Sequence, residues 1–132
     1  MRRVWWRRED GTVLILAIGS TLLVLATVLA LADASSLRMR RTLLAMVADD
    51  AAMAAARAGG DPERAEAQAR LAVAADADTR LTDVRVDAVA VGPDGVHVVL
   101  SAALPPPIGA VLVPAGVRLR AAADARPPVA AP

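Results

Sequence analysis

The sequence contains no cysteine, no lysine, no phenylalanine and no tyrosine, and a single histidine, His97. Without a thiol there is no disulfide, no thiolate nucleophile and no Cys-ligated zinc or iron–sulfur centre. The lack of disulfides leaves an oxidising location open, because an exported protein need not carry them. One imidazole excludes any two-histidine metal site. With lysine absent, arginine is the only basic side chain, which we read as compositional bias. From Thr42 onward acids outnumber arginines. A mildly acidic module is a poor match for a phosphate backbone, so nucleic acid is not expected as a partner. The 132 residues leave room for one small domain and none for a second catalytic one.

What the chain does have is a run of 21 residues without a charge, Thr12 to Ala32. As a helix rising about 1.5 Å per residue this run spans roughly 30 Å, the hydrocarbon thickness of a bilayer. The apolar part of a secretory signal is shorter, about 7–15 residues. A buried core helix would need apolar surface on every side, and the remaining chain offers none comparable. The run is therefore expected to be a transmembrane helix. Arg2, Arg3, Arg7 and Arg8 precede it and Arg38, Arg40 and Arg41 follow it. That small excess places the N-terminus in the cytoplasm and the C-terminal domain outside, in a single-pass cell-membrane topology. Trp5 and Trp6, the only aromatic residues, fit an interfacial belt, although a tryptophan pair in a short tail needs no role.

Residues 1–11 form a basic tag before the membrane helix at 12–32. Between 33 and 58 the chain is rich in Ala, Leu, Met and Arg, all strong helix formers, so the helix is expected to extend into solvent. Gly59-Gly60 supplies a stop, and Asp61-Pro62-Glu63 a restart with Asp61 as N-cap and Pro62 at the first helical position. A short second helix to about Ala75 follows, carrying an i,i+4 pair, Glu66 and Arg70. Asp76 to Asp83 reads as a connection. Val84, Val86, Ala88 and Ala90 then alternate with polar residues as a strand. Gly92-Pro93-Asp94-Gly95 is a turn signal, which predicts a hairpin. The return strand has Val96, Val98, Leu100 and Ala102 on one face and His97, Val99 and Ser101 on the other. Pro105 to Pro107 end it, Ile108 to Val113 is apolar and unassigned, and Val117, Leu119 and Ala121 mark a third strand.

The expected architecture is α+β and membrane-anchored: a long N-terminal helix, a short helix and an antiparallel sheet of about three strands. The ectodomain spans 61–126, and a tail of 127–132 is expected to be disordered. A three-stranded sheet needs apolar cover on one face, and the stripe Leu37, Leu44, Ala48, Ala51, Ala55 is the available surface. Ala48, Ala52 and Ala56 have the four-residue spacing that lets a second helix approach closely, with Ala-rich composition as the plainer explanation.

No catalytic set emerges, and no cofactor, metal or small-molecule substrate is expected. Ser101, His97 and Asp94 lie along one hairpin without a nucleophile elbow. Asp76, Asp78 and Asp83 lack the central Gly and terminal Glu of a calcium loop. Asp49 and Asp50 point about 100° apart on a helix and do not converge on a ligand.

The segment from Arg7 to Ala58 resembles the TadE/TadG-like proteins of the tight-adherence (Flp) pilus assembly and secretion system, in their short actinobacterial form. Those proteins carry a charged tag ending in Gly before the membrane run, here Arg7-Arg8-Glu9-Asp10-Gly11. They place an Asp beyond the membrane, then arginines, then an Asp opening an Ala-rich run: here Asp33, Arg40-Arg41 and Asp49. The resemblance implies a pilin-like ectodomain and a minor pseudopilin or assembly component that is not an enzyme. Its motif residues are Arg8, Glu9, Gly11, Asp33, Arg41 and Asp49, and its partners are membrane lipid and other assembly proteins met through helix packing. It makes Gly11 the candidate processing site. Processed pilins carry Glu five residues further on, where this chain has Leu16. The alternative is an unrelated single-pass envelope protein with a partner-binding extracytoplasmic domain.

Overall fold

The computed structural model describes residues 6–76, 81–104 and 118–127, with side chains from Gly11 onward. Trp5, Asp78, Ile108 to Val113 and Val117 lie outside the described residues. The elements are α1 (Trp6–Ala56), α2 (Pro62–Asp76), β1 (Thr82–Gly92), β2 (Gly95–Ala103) and β3 (Arg118–Ala125). The three strands form one antiparallel sheet in the order β1-β2-β3. The chain falls into two units, Met1–Ser36 and Leu37–Pro132.

The first unit is helix. α1 already includes Trp6 to Asp10, inside the segment read as a tag, so Gly11 sits within a helical turn. The large apolar side chains from Val13 to Leu31 lie open on the helix surface, between 46% and 72% exposed. Three hydroxyls in this stretch are satisfied by the helix itself. Ser20 and Thr21 donate to the Ala17 carbonyl at 2.9 and 2.8 Å, and Thr27 donates to Leu23 at 2.8 Å. Such back-bonding removes the cost of a bare hydroxyl in an apolar medium.

The second unit holds the core. α1 ends at Ala56, two residues before the expected stop, and Gly59 and Gly60 follow with φ of 71° and 88°. These left-handed values are what a helix exit favours and what a side chain resists. Asp61 then caps α2: its carboxylate accepts from the Glu63 N–H at 3.1 Å, and its carbonyl accepts from Ala65 at 2.9 Å. The expected Glu66–Arg70 pair is present at 2.5 Å, exposed and worth a few tenths of a kcal/mol.

Leu44, Ala48, Ala51 and Ala55 on α1 are wholly buried, and Leu37 packs against them. Ala65, Ala69 and Val73 on α2, Val96, Val98, Leu100 and Ala102 on β2, and Leu119 and Ala123 on β3 complete one cluster. α2 lies against β1. Ala48, Ala52 and Ala56 belong to this same cluster, at 0%, 0% and 4% exposure. They share it with Ala65, Ala69 and Val73 of the second helix, α2. Their small size serves close packing within the chain, and no surface is left on them for an intermolecular contact.

β1 departs from the simple alternation. Val84 and Val86 face inward as expected, but Ala88 and Ala90 are exposed and Val89 and Val91 take the inner positions. The ladder shows why: Val86 pairs with Leu100 while Ala88 pairs with Val99, so Asp87 is an extra residue. One inserted residue reverses the side of everything after it. The exchange brings two valines to the core in place of two alanines, which favours the bulge by the extra methyl groups covered. A second irregularity lies between Thr82 and Arg85, where Asp83 adopts φ of 51°. Aspartate is among the few non-glycine residues that tolerate this region.

At the hairpin, Pro93 fixes a negative φ and so rules out the primed turns usual for two-residue loops. Gly95 absorbs the mismatch with φ of 145°, and a Cβ built there would sit 2.5 Å from the Ala125 carbonyl oxygen of β3. Gly95→Ala is expected to cost about 1–3 kcal/mol through strain and backbone collision. Urea unfolding of the full chain in detergent, followed by proteolysis of the strands, measures it. Gly92→Ala, whose Cβ would meet only Gly95 O at 3.8 Å, is the comparison and is expected to cost clearly less.

Candidate functional site

The face of the sheet opposite the α1 helix residues of the core gathers the charged residues of all three strands. Both irregularities of β1 place an aspartate there. Asp83 accepts from Arg118 Nη1 at 2.8 Å and from Arg85 Nε at 2.9 Å, while Arg118 Nη2 donates to the Asp83 carbonyl at 2.9 Å. Ser101 is 2% exposed. Its hydroxyl donates to Asp87 at 2.8 Å and accepts from Arg118 Nε at 3.2 Å. Arg120 Nε stands 3.8 Å from the other Asp87 oxygen, a loose pair. No buried side-chain nitrogen or oxygen among the described residues lacks a partner. The Arg118 guanidinium, and after it that of Arg85, holds the Asp83 carboxyl below the usual carboxylate range. This network ties β1 to β3 across β2.

At the hairpin end of the same face, His97 Nδ1 donates to Asp124 Oδ1 at 2.5 Å, across the β2–β3 ladder. The pair borders an open cleft of about 680 Å³ whose wall includes Val91, Pro93, Asp94 and Arg126. Asp94, the acid considered with His97, is not its partner. Ser101 bonds to Asp87 and Arg118 and His97 to Asp124, so the Ser101, His97, Asp94 set does not assemble. Among the described residues no group of three or more His, Asp or Glu could hold a metal ion.

The motif residues are divided between the two units. Asp33 lies in the first unit. Arg41 and Asp49 are exposed on α1, and eight residues of helix separate them by about 12 Å and 80° of rotation. Gly11 has nothing within 4 Å of a built Cβ.

A further acidic pair links α1 to the end of α2. Asp76 is pushed above the usual carboxylate range by sharing a hydrogen bond with Asp50, then by burial and by the Asp50 charge. A raised native value means that this site stabilises the fold at low pH, and that the gain is lost as pH rises from the unfolded value through the folded one. Asp83 acts oppositely: its contribution is present above the unfolded carboxylate value and lost as pH falls through the depressed one. Asp50→Asn removes the repulsive partner. The variant is expected to melt about 2 °C higher than the parent at pH 7 and to show no gain at pH 3. Thermal melts at the two values decide this, and a gain of equal size at both would sink the coupling.

Sequence reasoning took the alternation around Arg85 and Asp87, and that around Leu119, only as marks of strands and did not join their charges into one face. It missed Asp83 and the burial of Ser101, because both depend on bulges that leave no periodic signal. Asp124 was missed for a similar reason: only the β2–β3 register puts it opposite His97.

The helix Gly11–Ala56 is long and apolar enough to cross a membrane, with a mean hydropathy of 2.6 over its most apolar window and none of that window covered. It is the one such helix among the described residues. Compared with protein-family models, with characterised proteins and with solved structures, the chain gives no match.

Proposed function

We propose that the chain is a noncatalytic single-pass membrane protein of the TadE/TadG type. It acts as a minor pseudopilin or assembly component of a tight-adherence pilus or related secretion system. The observation that carries this reading is the uncovered, uncharged stretch Thr12–Ala32, continuous in one helix with the Leu44 to Ala56 segment that builds the core of a small α+β unit. Bare apolar surface of that extent is unfavourable in water and favourable in lipid. The arginine bias of the flanks orients the N-terminus to the cytoplasm and the sheet to the exterior. The charged tag before Gly11 and the Asp33, Arg41, Asp49 series support the pilus assignment. In this role the helix holds the unit at the membrane and the unit presents surfaces to neighbouring assembly proteins and to lipid.

The experiment is deletion and affinity purification in the source cell. Loss of pili on deletion, restored by the intact gene, together with copurification of the assembly ATPase and platform proteins, is the expected result. Unchanged piliation overturns the pilus assignment. A chain that sediments with alkali-washed membranes without any effect on pili favours the alternative, an envelope protein with a different extracytoplasmic partner.

A further inference from the structure

Three of the four methionines fall at Met39, Met46 and Met53, a seven-residue spacing on α1. Seven residues bring a helix back to within about 20° of its starting direction, so the three form one stripe. They are 52%, 57% and 47% exposed. The stripe points away from Leu44, Ala48, Ala51 and Ala55, and nothing among the described residues covers it. Asp49 and Asp50, both exposed, flank it on its two sides between Met46 and Met53. None of the ion pairs among the described residues uses either carboxylate. Asp50 faces another acid, Asp76, whose carboxyl it raises from the ordinary value.

We propose that this face of α1, from Met39 to Met53, docks an amphipathic helix of a different protein, whose apolar stripe is flanked by lysine or arginine opposite Asp49 and Asp50. Methionine suits the task, because its unbranched, polarizable side chain adapts to the surface it meets. Charge decides the occupant. Two copies of this chain anchored in one bilayer in the same sense would pair in parallel, setting Asp49 and Asp50 against the same two carboxylates. Like charges juxtaposed in this way oppose association, whereas a basic flank relieves the excess. The argument against self-pairing rests on the membrane anchor proposed above. The match between strip and basic helix does not.

The test uses the full chain in nanodiscs of zwitterionic phosphatidylcholine, with empty discs as background. Two synthetic three-heptad peptides serve as probes, identical in a leucine stripe and carrying either lysine or glutamate on both flanks. The lysine peptide is expected to bind at least about tenfold more tightly than the glutamate peptide. Asp49→Lys with Asp50→Lys should reverse that order, and Met46→Glu should weaken the lysine peptide about tenfold or more. Reversal of preference requires a folded strip, so it separates recognition from loss of structure. Binding of neither peptide above empty discs, or a preference unchanged by the double reversal, overturns the proposal. Because the chain has no cysteine, Met46→Cys reports on a second copy: efficient disulfide-linked dimers under mild oxidation would show self-pairing and overturn it as well. A chain that enters discs yet ignores both peptides sinks the strip alone. A chain that never enters discs sinks the anchor.

Discussion

Leu44→Ala is expected to lower the stability of the Leu37–Pro132 unit by about 2–5 kcal/mol, enough to leave a small domain largely unfolded. The reason lies in the makeup of the core. Nine of its sixteen buried apolar residues are alanine, and Leu44 and Leu100 are the largest side chains that are fully covered. Alanine contributes little area, about one methyl each, so the two leucines carry a disproportionate share of the apolar burial. Neighbouring alanines cannot reach into the space a lost leucine leaves, and the cavity stays open. Urea titration of the detergent-solubilised chain, with protease cleavage of β2 as the readout, gives the midpoint. Leu71→Ala, 63% exposed on α2, is the control and should cost under about 0.5 kcal/mol. A cost at Leu44 below that of Leu71 would remove α1 from the core.

Leu22→Arg combined with Leu25→Arg is expected to release the protein from the membrane fraction. Each arginine at the centre of a spanning helix costs about 2.5–3.5 kcal/mol of insertion, so the pair shifts the partition by more than about a thousandfold. Leu22 and Leu25 are 60% and 54% exposed and touch no core, so the folded unit is not the casualty. Membranes washed at alkaline pH should retain the parent chain and lose the double variant. Leu71→Arg adds a charge at an equally open site on α2 and should leave the partition unaltered. If the parent itself appears in the wash, the apolar helix does not span lipid, and the topology argued from it fails.

Both expectations draw on features of different visibility. The apolar helix was legible because its signal is local: 21 residues without a charge need no partner to be recognised, and nothing among the described residues covers its most apolar window. The breaks at Gly59-Gly60 and Asp61-Pro62, and the hairpin at Pro93-Asp94, were legible for the same reason. Each is fixed by φ preferences and caps within a few residues. The inner face of β2 was legible because period-two alternation runs unbroken from Val96 to Ala102.

Sequence by itself therefore determined the element order, the apolar helix, the turn positions and the inner face of the central strand. Tertiary structure alone decided the rest. It placed Asp87 in a bulge and so turned Val89 and Val91 inward. It joined Asp83, Ser101 and Arg118 into one network and set His97 against Asp124. It also committed Ala48, Ala52 and Ala56 to the chain's own core. The physical reason is common to all of these. A backbone preference is settled between neighbours in the chain, whereas register and burial are settled by which surfaces meet, and residues far apart in sequence contribute equally to that choice.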